Sequence, residues 1–146
     1  MSTLEQTVSD RISAQVPALT GRVEDIAALA ALIEAGALPE KDVCAFVFSL
    51  GFDDKGGESA TGYHTQMIDD AIGVVLAIKA RGDAKAQKAL PTIGQLKTDI
   101  VNAVAGWGPD DAANVFFVRR GRLLSAAKGL VLYQLDFALL SQLRIT

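Results

Sequence analysis

The last 18 residues of the chain, 129–146, constrain its fold more than any other stretch. Alternate residues there form a largely apolar register opposite a mixed one, which predicts a half-buried β-strand. The apolar register contains Val131, Tyr133, Leu135, Phe137, Leu139, Ser141, Leu143 and Ile145. About 16 residues span roughly 50 Å as a strand, whereas a domain of this size has a radius of gyration of about 15 Å. The strand must therefore bend, break at a bulge or extend beyond its own domain, and the last option indicates association with other chains.

The composition is that of one globular domain, residues 1–146, because 50% of the residues are hydrophobic and 21% are charged. Apolar runs fall short of the ~18 residues that a membrane span needs, and the polar N-terminus lacks the pattern of a secretory signal. The single cysteine, Cys44, excludes an intramolecular disulfide. We therefore expect a chain that folds in a reducing cytoplasm, away from membranes.

Charge is divided unevenly along the chain. Residues 1–73 contain 12 acidic and 4 basic side chains, whereas residues 74–146 contain 5 acidic and 10 basic ones. Opposite charges on two faces favour head-to-tail self-association, although the charges can also interleave once the chain folds. Basic residues interleaved with aromatic ones are missing, which argues against dedicated nucleic-acid binding.

Apolar periodicity predicts the other elements. Residues 2–16 form a helix that starts with a capping box, either Ser2 with Glu5 or Thr3 with Gln6. Short strand and helical segments follow at 21–26 and 27–35, then strands at 43–50 and 63–80. A main amphipathic helix continues from Pro91 to Trp107, after one or two helical turns at 84–89, and a strand covers 114–120. The predicted class is α+β: an antiparallel or mixed sheet of about four to five strands, with the N-terminal and main helices packed on it.

Three irregular features complete the prediction. The glycine-rich, acidic run at residues 51–62 is expected to be a loop. Asp69 and Asp70 indicate a bulge or an exposed beginning of the third strand. Arg119, Arg120 and Arg122 surround Gly121 and indicate a tight basic turn, which is either a contact for an acidic partner or simply a solvated hairpin end.

Residues with catalytic or metal-binding potential are few. Cys44 lies on an apolar strand face, which is typical of a buried thiol, and His64 has no companion histidine for metal binding. Asp53, Asp54 and Glu58 lack the alternating oxygen ligands of a calcium loop. We therefore predict no catalytic, cofactor or metal residues and expect a protein that is not an enzyme. Trp107 is interpreted as part of the core, with an interface anchor as the alternative.

The order of several landmarks resembles the tail terminator, or tail completion, proteins of tailed bacteriophages. The resemblance covers nearly the whole chain and rests on order and spacing. Its landmarks are the helix ending near Pro17, Gly21-Arg22-Val23, Gly36-Ala37-Leu38-Pro39, Ala45-Phe46-Val47, the acidic glycine-rich run, Gly73-Val74-Val75-Leu76-Ala77-Ile78, Gly106-Trp107-Gly108-Pro109, Gly121-Arg122-Leu123-Leu124, Leu132-Tyr133-Gln134 and Phe137.

The resemblance implies a subunit of a hexameric ring that caps the head-proximal end of the tail tube. Such a ring stops tube polymerisation, docks the head connector and lets DNA pass through its lumen without specific binding. It also implies a virion protein that is assembled in the host cytoplasm. Its partners are then further copies of the chain, the tail tube protein and the connector protein, and it needs no cofactor.

Within this interpretation, the candidate interface consists of the acidic run, the basic cluster and the end of the last strand. Its residues are Asp53, Asp54, Glu58, Arg119, Arg120, Arg122, Leu139 and Leu143. The alternatives are another neck component, such as a head-closure or tail-to-head joining protein, and a small binding module with an exposed sheet edge.

Overall fold

The structure is a computed structural model that describes residues 3–39, 41–60, 63–80, 89–109, 114–127 and 129–145. The elements are α1 (Leu4–Gln15), a 3-10 turn (Pro17–Leu19), β1 (Val23–Asp25), α2 (Ile26–Ala35), β2 (Val43–Ala60), β3 (Tyr63–Lys79), α3 (Ala89–Val104), β4 (Phe116–Ala127) and β5 (Leu130–Ile145). The predicted helical turns at 84–89 lie outside the described residues, apart from Ala89 at the start of α3.

Helix α1 confirms the N-terminal prediction in outline. The Thr3 hydroxyl accepts a hydrogen bond from the Gln6 backbone N–H at 3.1 Å, as an N-cap does. The reciprocal half of the predicted capping box is wrong, because the Gln6 side chain donates instead to Asp10. Val8 and Ile12 are fully buried, as the predicted apolar stripe requires.

The sheet is mixed, which confirms the α+β class. Its strands follow the order β1-β2-β3-β5-β4, with β1 parallel to β2 and the other pairs antiparallel. Helices α1 and α3 cover one face, which we call the helix face, and bury residues such as Ile100, Leu76 and Phe137. On the opposite face, α2 covers a smaller cluster that includes Leu29 and Phe46.

Strand β5 extends beyond its neighbour β4. It pairs with β3 without a register shift from Leu130, opposite Lys79, to Ile145, opposite His64. Strand β4 pairs with β5 only as far as Leu139, opposite Phe116. The sheet therefore continues as a three-stranded arm, formed by residues 53–60, 63–69 and 140–145, and the long strand runs past β4 without a bulge in its pairing with β3.

The predicted loop at 51–62 is wrong, because β2 continues to Ala60 alongside β3. Two bulges absorb the local irregularity, one between Ser49 and Gly51 and one between Asp54 and Gly57. Gly51 has a φ of +100°, a conformation that glycine adopts without steric cost. The glycines thus allow β2 to bend without ending, because β3 pairs with it along its length.

The predicted basic turn at residues 119–122 is also wrong. These residues lie inside β4, with Arg119 at a bulge between Val118 and Arg120, and a second bulge follows between Leu123 and Ser125. A Cβ on Gly121 would come within 2.8 Å of the Tyr133 hydroxyl oxygen. The glycine therefore permits close packing against β5 and does not mark a turn.

The interruption expected at Asp69 and Asp70 does not occur in β3. The strand is continuous from Tyr63 to Lys79, and the bulges belong to its partner β2. Asp69 is only 3% exposed, so it is not an exposed strand beginning. Lys55 on β2 and Arg119 on β4 lie near its buried carboxylate.

Candidate interaction surfaces

A polar groove crosses the sheet face opposite the helix face, and we call it the arginine groove. Its volume is about 500 Å³, and it is lined by Leu50, Asp53, Ala71, Arg119, Arg120, Arg122, Gln134 and Asp136. Strand register explains the grouping, because Arg120 pairs with Asp136 and Arg122 with Gln134. Residues directly opposite each other in an antiparallel pair point to the same face.

Asp136 is the best-satisfied acid in the groove. Its Oδ2 accepts from Arg120 Nε at 3.0 Å, and its Oδ1 accepts from Gln134 Nε2 at 2.7 Å. The Asp136 side chain is 8% exposed, whereas that of Arg120 is 59% exposed. The buried carboxylate therefore orients a guanidinium whose remaining N–H groups face the solvent.

Asp69 is held more loosely. Its Oδ2 lies 3.6 Å from Arg119 Nη1 and 3.9 Å from Lys55 Nζ. Its Oδ1 is buried and makes no hydrogen bond within the described part of the chain. Charge pairing without a close hydrogen bond keeps this carboxylate compensated but not fully satisfied.

A second concave surface, which we call the acidic cleft, lies among α1, β1, α2 and β2. It has a volume of about 840 Å³ and is lined by Thr3, Glu5, Gln6, Ser9, Val23, Glu24, Asp25, Ile26, Ala28, Val47, Phe48 and Ser49. Asp25 caps α2 by accepting from the Ala28 N–H at 3.0 Å. The described lining contains three acids and no lysine or arginine, so its charge is opposite to that of the three arginines across the sheet.

Strands β1 and β4 are the two edge strands of the sheet. One side of the 12-residue β4 faces no other strand among the described residues, so backbone groups beyond Phe116 are available there to another strand. The N–H and C=O of Phe116 itself bond to Trp107 and Gly106. Apolar side chains are exposed along or just before β4: Val115, Phe117, Val118, Leu123 and Leu124. Sheet edges of this kind pair readily with another chain.

The structure brings some predicted interface residues together. Asp53 lines the arginine groove with Arg119, Arg120 and Arg122. Leu139 is 4% exposed in the helix-face core, so its side chain does not reach a partner. The side chains of Asp54, Glu58 and Leu143 lie outside the described part of the structure.

Sequence reasoning missed the residues of the acidic cleft and the apolar side chains of β4. Glu24 and Asp25 follow one another in the acidic half of the chain, but only the fold places Glu5 near them. Leu123 and Leu124 follow the arginines directly, and continuing the strand through Gly121 would have assigned them to the same strand as the arginines. The assumption of a turn at 119–122 hid that possibility.

The two residues considered for chemistry have different outcomes. Burial, followed by the negative charge of Glu24, raises the pKa of the Cys44 thiol to about 11. The thiol therefore stays protonated at neutral pH, unlike an activated nucleophile. The His64 side chain lies outside the described part of the structure, and the described acids and cysteine form no cluster of three that would hold a metal ion. Trp107 packs against the core and stacks on Phe116, with ring centroids 5.9 Å apart.

A small α+β domain with an open sheet edge and oppositely charged surfaces is typical of proteins that act through protein–protein contacts. Residues 3–146 match a family model described as phage tail terminator protein. The chain belongs to this family of structural phage tail proteins, as the order of its landmarks indicates. A comparison with curated proteins finds no match. Across the described residues, no helix is both long and apolar enough to cross a membrane.

Proposed function

We propose that this protein forms a ring at the head-proximal end of the phage tail tube, where it stops tube polymerisation and presents the docking surface for the head connector. The observation that carries the proposal is the open, partly apolar edge of β4 in a chain of the tail terminator family. An isolated subunit leaves this edge in water, and a neighbouring chain covers it. The function is structural rather than enzymatic.

The ring is a hexamer in this proposal, as the family resemblance implies. Its partners are the tail tube protein on one side and the connector protein on the other. The three-stranded arm, with its acidic residues Asp53, Asp54 and Glu58, is the element we assign to one of these contacts because it extends past β4. The protein assembles in the host cytoplasm and remains in the virion.

DNA passes through the lumen of the proposed ring without specific binding. The net charge of −3 supports this part of the proposal, because affinity for a phosphate backbone grows with each lysine or arginine contact. The arginines that are grouped on one surface are partly engaged by Asp69 and Asp136, which reduces their availability for phosphate.

Two alternatives share the same open edge. Another neck component, such as a head-closure or tail-to-head joining protein, would bind the connector but leave tube length unchanged. A small binding module would add a partner's strand to β4 and remain a single copy in the complex. The number of copies and the effect on tube length separate the three functions.

Native mass spectrometry of the purified protein, alone and mixed with polymerising tail tube protein, tests the proposal. We expect a sixfold assembly, bound at one end of each tube, and tubes that stop growing once it binds. A strict monomer at high concentration that never binds tubes would contradict the ring. A ring that binds tubes without stopping their growth would favour another neck component.

A further inference from the structure

We propose that β4 of one copy pairs antiparallel with β1 of the next, so that Arg122 lies opposite Glu24 and Leu123 opposite Val23 of the neighbouring copy. This inference rests on the proposed ring, because it names the two surfaces that would close it. The partner is therefore a second copy of the same chain.

Strand register carries the argument. The row Arg122–Gln134–Val75–Phe46–Glu24 crosses all five strands, with a basic residue at one edge and an acidic one at the other. The adjacent row, Leu123–Tyr133–Leu76–Ala45–Val23, has an apolar residue at each edge. We infer the register in which these row ends meet, because it alone opposes Arg122 with Glu24 and Leu123 with Val23.

The side chains match on both sheet faces. Arg122 and Glu24 belong to the row of Phe46, on the face that α2 covers, whereas Leu123 and Val23 belong to the row of Leu76, on the helix face. Opposite charges and apolar pairs both stabilise adjacent strands when they lie directly across from one another. A single register therefore satisfies the charged face and the apolar face together.

Strand direction agrees with this pairing. Strand β1 is parallel to β2, and the three remaining pairs alternate in direction, so β1 and β4 run opposite ways. A head-to-tail contact that keeps all copies in the same orientation then makes β4 and β1 antiparallel. Successive copies form one continuous sheet, in which the short β1 of one copy covers the part of β4 around Arg122 and Leu123 in the next.

The acidic cleft extends the match beyond β1. Arg120 is level with Phe48, because the row Arg120–Asp136–Gly73–Phe48 also crosses the sheet, and Phe48 lines the cleft. The exposed guanidinium of Arg120 in one copy is therefore level with a residue that lines the acidic cleft in the next. Charge attraction of this kind orients the approach of two copies before their strands pair.

Bulges and arginines also protect sheet edges from unwanted pairing, and β4 has both. That reading does not account for Phe117, Val118 and Leu123, whose apolar side chains are 41–53% exposed. A purely protected edge carries charge in such positions. An edge strand that combines bulges and arginines with exposed apolar side chains fits a surface that selects one partner.

The test exchanges the charges of the proposed pair. We expect Arg122→Glu or Glu24→Arg alone to weaken association about tenfold, and the two together to restore it to within about threefold of the native chain. Glu34→Arg is the matched control, because Glu34 is an exposed acid on α2, outside the proposed β4–β1 contact. Association is measured by analytical ultracentrifugation, and circular dichroism checks that each variant is folded.

A covalent test reads the contact directly. Cys44→Ala removes the native thiol, and Arg122→Cys with Glu24→Cys places one cysteine at each edge. Directly opposed residues in an antiparallel pair have Cβ atoms about 4.5–5.5 Å apart, near the separation of a disulfide. Oxidation should yield a ladder of linked subunits that ends at the ring size, and Arg122→Cys with Glu34→Cys should not.

The outcomes separate this inference from the proposed function. Rings that form normally but give neither the ladder nor the charge rescue would overturn the β4–β1 contact and leave the ring intact. A native chain that stays monomeric with and without tubes would overturn the ring itself, and this contact with it. A ladder together with charge rescue supports both.

Discussion

Two buried carboxylates, Asp136 in the arginine groove and Asp69 on β3, depend on basic side chains that are themselves partly exposed. Asp136 has close donors in Arg120 and Gln134, whereas Asp69 has only longer ion pairs. Removing a cation from a buried ion pair costs about 3–5 kcal/mol when the remaining charge has no other compensation. The exposure of the arginines lets water take over part of that role.

Arg120→Ala should therefore lower the free energy of unfolding by about 1–3 kcal/mol. The Arg120 side chain is 59% exposed, which is why the loss should stay below that of a fully buried pair. Arg122→Ala, which removes an exposed neighbour with no carboxylate partner in the described structure, should cost less than about 0.5 kcal/mol. Urea denaturation of the two variants compares them, and equal losses would show that the Asp136 pair contributes nothing special.

The Cys44 thiol should resist alkylation by iodoacetamide at pH 8 while the protein is folded, and react once urea unfolds it. Its pKa is raised from 9.0 to about 11, so the reactive thiolate is scarce at this pH. Rapid labelling of the folded protein would contradict the burial of this residue.

The same shift makes stability depend on pH. The pKa of Cys44 is higher in the folded protein than in the unfolded chain. The stability that the buried, protonated thiol contributes is therefore fully present below pH 9.0 and is lost as the pH rises toward 11. The urea midpoint of the native chain should therefore fall between these pH values by more than that of Cys44→Ala. If the urea midpoints of the native chain and of Cys44→Ala fell equally with pH, the raised pKa of Cys44 would be refuted.

At the level of elements, β4 determines how the molecule meets its neighbours. It is long and lies at an edge, and the exposed apolar side chains Val118 and Leu123 flank its arginines. Strand β1 at the other edge has only three residues, so the proposed contact begins with a short strand and continues along the acidic cleft.

Leu123→Lys should abolish ring formation while changing the stability of the monomer by no more than about 0.5 kcal/mol. Leu123 is 53% exposed, so a lysine there costs the monomer little, but it would place a charge beside the apolar Val23 of the next copy. Ile33→Lys, on α2 at a residue that is 66% exposed, is the control and should assemble normally. Size-exclusion chromatography with light scattering measures both.

Truncation after Ser141 should impair assembly more than folding. The core residues of β5 end at Leu139, and residues 140–145 pair only with β3 in the described sheet. Thermal unfolding and native mass are the two measurements. Equal loss of stability and assembly would mean that the end of β5 is an ordinary part of the core.

On the scale of the whole molecule, two oppositely charged surfaces lie on the described part of the sheet. The acidic cleft and the arginine groove lie toward opposite edges of one sheet, so a head-to-tail contact brings opposite charges together. Within the described residues, interleaving of the two halves, the alternative that the sequence left open, is seen where Arg119 pairs with Asp69.

Raising the salt concentration from about 0.05 M to 0.5 M should weaken the ring, because mobile ions screen charges on exposed surfaces. The copy number measured by sedimentation should shift toward the monomer, while Arg122→Glu with Glu24→Arg should show the same salt dependence as the native chain. Assembly that is indifferent to salt would assign the contact to the apolar pairs and strand hydrogen bonds.

The sequence by itself determined the elements that bury an apolar face. The stripes of α1 and α3 and the alternation of β3 and β5 are local patterns, because each side chain's direction follows from helix or strand geometry. The order of the landmarks also indicated the family. Reasoning from the residues succeeded where a segment's own periodicity decides its structure.

Only the tertiary structure decided where the glycine-rich and basic segments belong. Gly51 and Gly121 look like turn residues in the sequence, but strands β3 and β5 hold their segments extended and turn the irregularities into bulges. The row that joins Arg122 to Glu24 likewise depends on the register of five strands that lie far apart in the sequence. Register results from packing between strands, and no local pattern contains it.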